Sequence, residues 1–425
     1  MLFPNNFLLF NEMTELNVNF DKNCERTSNK LLTSIGLLSD IQYANIDDGT
    51  CHHNINERYY RNGLEMIRKI YKNFEAHESK HGTTISCIVQ LGDLIDGKSK
   101  LNKSSNADLE ECLNILKQKP SHSELLHIWG NHEFYNFFRK DLLISELNTA
   151  KILRSDWNEN SNDYTFQVTS NLKLICLDFY EFSVIGYKGD EEIFQEARKY
   201  YDHVRRLNQR RFVMEREGSL SLRQLNWLSD ELEKCEKDKN FAIVCGHVPI
   251  LASPEKYLAL KSTDILNLLW KFDRNVLAYI SGHYHQGSYC LDQHNIHHIT
   301  LPGIVECKPG TNPSIIIDIA CPESEKLSND HKFYDFTKTH PIKIWLSVSN
   351  TINLLNKIKK TRFQSSSKSY STFNPSIRPN QLKAYYSTTK IPDDEILNDA
   401  ESFPYQKVMK ESNKEVMVCI LHCPF

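Results

Sequence analysis

Five short clusters in this 425-residue chain carry side chains able to bind a hard divalent cation: Asp40-Ile41-Gln42, Gly92-Asp93-Leu94-Ile95-Asp96, Gly130-Asn131-His132-Glu133, Gly246-His247 and Gly282-His283-Tyr284-His285. Each alone has an ordinary explanation. An Asp after a strand caps a turn or helix, an Asn after Gly forms turns, and a lone His is usually a hydrogen-bonded structural residue. Together they offer a specific chemistry. Two cations held close to one another repel, so they need a shared carboxylate, with neutral nitrogen and oxygen donors completing each shell. Glycine beside Asp93 and Asn131 lets the chain turn steeply and bring those donors close. The reaction that such a site supports is hydrolysis of a phosphoester or phosphoanhydride.

The elements that must position these clusters follow from hydrophobic patterning. Short apolar runs at Leu31 to Ser39, Ile85 to Leu91, Leu125 to Trp129, Lys173 to Leu177, Phe241 to Cys245 and Val276 to Ser281 predict strands. Most end just before one of the clusters, and in open α/β sheets ligands collect beyond the carboxyl ends of the strands. Helical periodicity predicts helices near Asn56 to Phe74, Ala107 to Lys117 and Leu222 to Lys234, the last opened by Ser221 with Gln224 in a capping box. Tyr289 to Leu291, Ile296 to Leu301 and Ser314 to Ile319 predict closing strands, compatible with a second sheet packed on the first.

Composition is that of an ordinary globular protein: 40% hydrophobic, 25% charged, net charge −3. With a sequence pI near 6.6, no global basic face points to nucleic acid. The twelve cysteines form no framework and read as reduced thiols. Met1 to Phe10 lacks a basic leader and a clear cleavage site, so no signal peptide is read. No stretch approaches the ~20 apolar residues of a membrane span. A cytoplasmic monomer is the expectation. The reading divides the chain into an N-terminal extension (1–30), a catalytic domain (31–322) and a C-terminal extension (323–425). Beyond Pro322 the sequence turns Ser-, Thr-, Asn- and Lys-rich, and only Ile342 to Ile358 is apolar enough to order. The extension is therefore expected to be partly disordered or loosely docked.

In this order the clusters resemble the calcineurin-like metallophosphoesterase superfamily: Asp-x-His, Gly-Asp-x-x-Asp, Gly-Asn-His-Asp/Glu, Gly-His, Gly-His-x-His. One departure is informative. Gln42 stands where most of the superfamily has His, and this substitution is similar to the manganese-dependent ADP-ribose/CDP-alcohol diphosphatases. Asp48-Gly49, Gln90 to Gly97, Trp129 to Asn136 and Gln224 to Leu228 agree with that family, and the likeness runs from about Leu31 to Ile319. The resemblance implies a four-layer αββα sandwich with mixed sheets. It also implies two divalent ions, one on Asp40, Gln42, Asp93 and His285 and the other on Asp93, Asn131, His247 and His283, with Asp93 bridging. A hydroxide between the ions would be the nucleophile, and His132 would stabilise or protonate the leaving oxygen. The expected substrates are nucleoside diphosphate-linked compounds such as ADP-ribose and CDP-choline. Exchanging imidazole for the harder amide oxygen at Gln42 favours Mn²⁺, or Mg²⁺, over zinc.

Weaker signals complete the reading. Cys290 falls where the resembling family has a substrate-contacting cysteine, against the simpler reading of a packed strand thiol. Asp96 and Glu133 are expected to orient ligands or the acid through hydrogen bonds. His294, His297 and His298 are kept out of the metal site. Cys51-His52-His53 replaces the aromatic residues that the family offers the base, which leaves base preference open. Arg205, Arg206, Arg210 and Arg211 read as a solvated helix face. The alternatives are a cyclic-nucleotide phosphodiesterase or phosphomonoesterase on the same scaffold, a nuclease, and a catalytically silent binding module.

Overall fold

Alternation along the strands decides the architecture. In β1 (Lys30–Leu38) Ile35 and Leu37 join one buried cluster while Leu38 joins another. In β4 (Ile85–Gln90) Cys87 and Val89 oppose Ile88 in the same way, and in β8 (Phe241–Cys245) Ile243 and Cys245 oppose Ala242 and Val244. Strands apolar on both faces must be covered on both. The first cluster gathers side chains from both sheets, so it is the seam between them. The second mixes the other strand faces with helical residues such as Met66, Ile70, Phe74, Leu228, Leu232 and Leu269. The result is helix, sheet, sheet, helix: the αββα sandwich.

The computed structural model describes residues 30–50, 56–153, 160–206, 215–321, 342–349 and 416–419. The remaining strands are β2 (Gly49–Thr50), β3 (Glu57–Arg58), β5 (Glu124–His127), β6 (Tyr164–Thr169), β7 (Leu172–Cys176), β9 (Val276–Ser281), β10 (Gln286–Leu291), β11 (His297–Pro302), β12 (Asn312–Cys321), β13 (Ile342–Ser349) and β14 (Val416–Cys419). One sheet has the order β14-β13-β12-β1-β4-β5 and the other β10-β11-β9-β8-β7-β6. Both are mixed. β1, β4 and β5 run parallel, as do β7, β8, β9 and β11, whereas β12 is antiparallel to β1 and β6 to β7. Within the C-terminal extension, β13 pairs antiparallel with β12 and β14 with β13. The rest of 322–425, and 1–29, lie outside the described residues.

The helix foreseen from Asn56 begins instead at Asn62 and runs to His81. The six residues before it are diverted because Glu57–Arg58 pairs with Gly49–Thr50, and the Tyr59 N–H donates to the Val305 carbonyl at 2.7 Å. The helix Leu222–Lys237 opens as expected, with Ser221 Oγ accepting the Gln224 N–H at 3.0 Å. Six helices of the described residues escaped the pattern reading: four are six residues or shorter, and the two longer ones are Glu192–Arg206 and Ser262–Lys271. In the first of these two, Ala197 and Tyr201 are buried and Phe194, Tyr200 and Val204 pack half-buried against their cluster, interleaved with charged residues. Among the described residues no helix is long and apolar enough to cross a membrane.

Candidate metal centre

The carboxyl ends of β1, β4, β5, β8 and β9 point to one place, and the loops leaving them carry the ligand candidates. These loops are stitched together by backbone hydrogen bonds: Asp40 N–H to Gly92 O at 3.2 Å, Gln42 N–H to Asp93 O at 2.9 Å and Gly282 N–H to His247 O at 2.9 Å. The stitching holds an uncommon backbone. Asp40, Gln42, Asp93 and His283 have φ of 50°, 41°, 59° and 67°, four of the nine non-glycine residues in the left-handed region among the described residues. Such conformations cost energy and persist where surrounding structure over-determines them, which is typical of functional sites. Gly92 (φ 103°) and Gly130 are obligatory neighbours. A Cβ on Gly130 would fall 2.2 Å from Asp93 Oδ1, and one on Gly92 would fall 2.6 Å from His247 Nδ1.

Two donor groups result, and Asp93 belongs to both. Donor atoms of Asp93, His247 and His283 all lie within 4.8 Å of one another, and so do those of Asp40, Asp93 and His285. In the first group His247 Nε2 is 3.5 Å from Asp93 Oδ2, 3.2 Å from Asn131 Oδ1 and 3.2 Å from His283 Nδ1. In the second, His285 Nε2 is 3.3 Å from Asp40 Oδ1 and 3.0 Å from Gln42 Nε2, and Gln42 Nε2 is 3.0 Å from Asp93 Oδ2. The Gln42 carbonyl accepts from Arg58 Nη1 at 2.9 Å. Half a turn of the terminal torsion exchanges amide oxygen and nitrogen, which have nearly the same shape.

The ring of groups behind the ligands aims them. His247 Nδ1 donates to the Leu91 carbonyl at 2.8 Å, and His285 Nδ1 faces Glu306 Oε1 at 3.0 Å. Each bond puts the proton on Nδ1 and leaves the Nε2 lone pair facing the acids, the usual arrangement behind a metal-binding histidine. Asp40 accepts from Ser39 Oγ and from the His283 N–H, the latter at 3.0 Å. Glu133 ties the second and third loops together: its Oε2 accepts from Asp93 N (2.8 Å) and Gly130 N (2.7 Å), and its Oε1 from Leu94 N (2.6 Å).

Electrostatics agree with this picture. Burial disfavours charge on His247, yet the charge and hydrogen bond of Asp93, with Asp40, lift its pKa to about 9. Burial likewise opposes charge on His285, but Asp40 and Glu306 raise it to about 9. Burial and then the neighbouring His247 hold His283 well below the usual histidine range. A site that draws positive charge onto two imidazoles this strongly is one where a cation can take the proton's place. His283 Nε2 is buried with no hydrogen-bond partner among the described residues. The shared carboxylate and the aimed lone pairs fit a pair of divalent ions.

His132 stands at the rim of this centre. Its Nδ1 accepts from the Gly97 N–H at 2.9 Å, which places its own proton on Nε2, 3.9 Å from Asp93 Oδ2. Asp96 Oδ2 lies 3.4 Å from His132 Nδ1 and 3.5 Å from Arg58 Nη1. All seven ligand candidates therefore meet, with His132 beside them and Glu133 tying two of their loops, whereas Asp96 Oδ2 has no hydrogen-bond partner among the described residues. Cys290 sits in mid-β10 with its backbone paired to His298, and burial pushes its thiol up to about 12. His294, His297 and His298 are engaged elsewhere, with Asp273, Tyr289 and Asp292. Arg205 faces Asp202 and Glu215 on a half-exposed helix surface, while Cys51-His52-His53, Arg210 and Arg211 lie outside the described residues. Glu306, Ser39, Arg58, Tyr180 and Arg216 were missed. For Glu306 a signal existed, an acid just after the Pro302-Gly303 turn that follows a strand.

Comparison with known proteins is consistent with this centre. A family model described as calcineurin-like phosphoesterase matches residues 33–287. A manganese-dependent ADP-ribose/CDP-alcohol diphosphatase of Mus musculus is 32% identical over 298 residues, 65% of this chain and 85% of that protein. The Homo sapiens protein of the same name is 30% identical over 302 residues, 66% and 85% of the two chains. A solved structure, a dimetal phosphatase from Danio rerio, aligns with a TM-score of 0.61 at 28% identity, covering 68% of this chain and 95% of that one.

Proposed function

Because the chain belongs to the calcineurin-like phosphoesterase family, and within it to the manganese-dependent ADP-ribose/CDP-alcohol diphosphatases, we propose that it hydrolyses the phosphoanhydride bond of nucleoside diphosphate-linked compounds. ADP-ribose would give AMP and ribose 5-phosphate; CDP-choline would give CMP and phosphocholine. The observation that carries this reading is the pair of donor groups sharing Asp93 at the carboxyl ends of five strands.

One ion would be held by Asp93, Asn131, His247 and His283, the other by Asp40, Gln42, Asp93 and His285, with Gln42 turned to present its carbonyl oxygen. Divalent cations bound there, manganese above all, would neutralise charge on a phosphoryl group and make hydroxide available from water near neutral pH. The chain's own residues do the rest. Glu133 fixes the distance between the Asp93 and Asn131 loops through three N–H bonds. Leu91 and Glu306 hold two imidazoles in the ligating tautomer. His132 keeps a proton at Nε2, where the leaving oxygen of a phosphoryl group can receive it. General acid help of this kind is worth ~10²–10⁴-fold.

The direct test is turnover of metal-stripped protein on ADP-ribose, CDP-choline, cyclic AMP and p-nitrophenyl phosphate, with manganese, magnesium or zinc added back. The two diphosphates with manganese should lead; a preference for cyclic AMP or for the monoester would transfer the chain to another branch of the superfamily. His132→Ala should bind metal normally and lose ~10²–10⁴-fold in kcat, and unchanged kcat would remove His132 from the chemistry. All of these groups lie within 31–322, which we propose as the catalytic domain. Deleting Asn329 to Phe425 exposes the edge of β12 that β13 covers, so Tm should fall while kcat/KM stays within about twofold, the change expected when no group at the site is touched.

A further inference from the structure

One cation at the rim has no part in the chemistry described so far. Arg216 belongs to a short helical turn, Glu215–Glu217, and its backbone is tethered to the centre: Tyr180 Oη donates to the Arg216 carbonyl at 2.8 Å and stands 3.4 Å from Asn131 Oδ1. Its guanidinium lies over the Tyr257 ring, 5.4 Å from the centroid, and that ring packs edge-on against His283 with centroids 6.1 Å apart. Arg216 Nε donates to Glu217 Oε1 at 3.2 Å, and the terminal nitrogens have no partner among the described residues. The side chain is 34% exposed, so its guanidinium is open to solvent at the rim.

A diphosphate would bring two phosphoryl groups to the site, and only the one under attack would lie against the donor groups around Asp93. The other carries a negative charge that needs a partner. A planar guanidinium presents two parallel N–H donors to phosphate oxygens, and stacking on a ring fixes its plane beforehand. Arg58, on the opposite side, is already bonded to Gln42 and close to Asp96. Lys256 lies over the same Tyr257 ring at 5.1 Å, but as a single-point ammonium. We propose that Arg216, braced on Tyr257, is the specificity arm that binds the phosphate not under attack, and so makes this centre prefer diphosphate-linked substrates to single phosphodiesters. The inference rests on the diphosphatase reading above and adds to it the group that recognises the second phosphate.

The experiment compares wild type, Arg216→Ala, Arg216→Lys and Lys256→Ala on CDP-choline and on bis(p-nitrophenyl) phosphate, which has one phosphorus. The dissociation constant of α,β-methylene-ADP is measured on the same proteins by calorimetry. Arg216→Ala should raise KM for CDP-choline and weaken α,β-methylene-ADP about ten- to a hundredfold, the loss of a charge-assisted bond. It should leave kcat/KM on bis(p-nitrophenyl) phosphate unchanged. Arg216→Lys should fall between, and Lys256→Ala should behave as wild type. An equal loss on both substrates, no loss on either, or a KM effect in Lys256→Ala alone overturns the assignment. Wild type that ignores CDP-choline and ADP-ribose but cleaves the single-phosphorus probe refutes the diphosphatase reading itself, a separate outcome.

Discussion

The two halves of the centre share Asp93 but are built differently. The half formed by Asn131, His247 and His283 combines two imidazoles with one amide oxygen, and its backing is a main-chain carbonyl, Leu91. The half formed by Asp40, Gln42 and His285 has one imidazole, a second carboxylate of its own, and a third carboxylate, Glu306, behind the ring. The first is richer in nitrogen and poorer in charge; the second is richer in oxygen and more negative. Borderline ions such as zinc suit the former, and hard ions such as manganese and magnesium the latter. Metal selectivity in this chain is therefore expected to reside in the Asp40 half, and metal-independent geometry in the Asn131 half.

The comparison breaks most completely at the residue common to both halves. Asp93→Ala removes the one carboxylate that both donor groups of the described residues share, so both ions should be lost from the protein by elemental analysis. Turnover should drop by more than about 10⁴-fold, as happens when one member of a unit of catalytic groups is removed. Retention of a single tightly held ion would show that one half is complete without the bridge.

Why this residue could be found in the sequence, and others not, has a physical explanation. Asp93 and Asn131 follow parallel neighbours of one sheet, His247 and His283 parallel neighbours of the other, and each sheet delivers the carboxyl ends of its parallel strands to one edge, so order along the chain foretold proximity within each pair. The sheet orders followed less directly. Apolar runs marked β1, β4, β5, β7, β8 and β9, but half-exposed β6 alternates too weakly to announce itself. The supporting groups were harder still. Glu133 was legible because it sits beside Asn131, whereas Arg58 reaches Gln42 only because Glu57–Arg58 leaves the helical pattern to pair with Gly49–Thr50. Arg216 depends on a turn held by Tyr180, more than thirty residues away, which no local pattern encodes. What the sequence shows is the ligands; what it hides is the set of long-range hydrogen bonds that aim them.

Those bonds allow the two halves to be perturbed one at a time. Glu306→Gln keeps the shape behind His285 but removes the charge and offers an amide whose NH₂ can face Nδ1. The ring's proton then need not stay on Nδ1, and the Nε2 lone pair is no longer guaranteed. Changes of this kind cost 10–100-fold in metal affinity. Manganese titration should show one weakened class of site beside one unchanged class. If both classes weaken together, the halves behave as a single unit and the contrast drawn from their donors is wrong.

The smallest expected effect tests the finest part of the contrast. Gln42→His converts the Asp40 half to two imidazoles and two carboxylates, closer in nitrogen content to its neighbour. Histidine tolerates the left-handed backbone that position 42 requires, φ 41° in the present chain, better than most residues. The exchange also takes away the carbonyl that Arg58 holds at 2.9 Å, leaving that guanidinium its weaker approach to Asp96 at 3.5 Å. The ratio of zinc to manganese affinity should rise by roughly tenfold, at the small end of what altered ligand surroundings do, with modest loss of turnover on CDP-choline. Competition between the two ions, read as manganese released on adding zinc, separates a change in preference from a general loss of binding. A variant with the wild-type ratio would place the manganese preference in the two carboxylates, Asp40 and Asp93, and not in the amide.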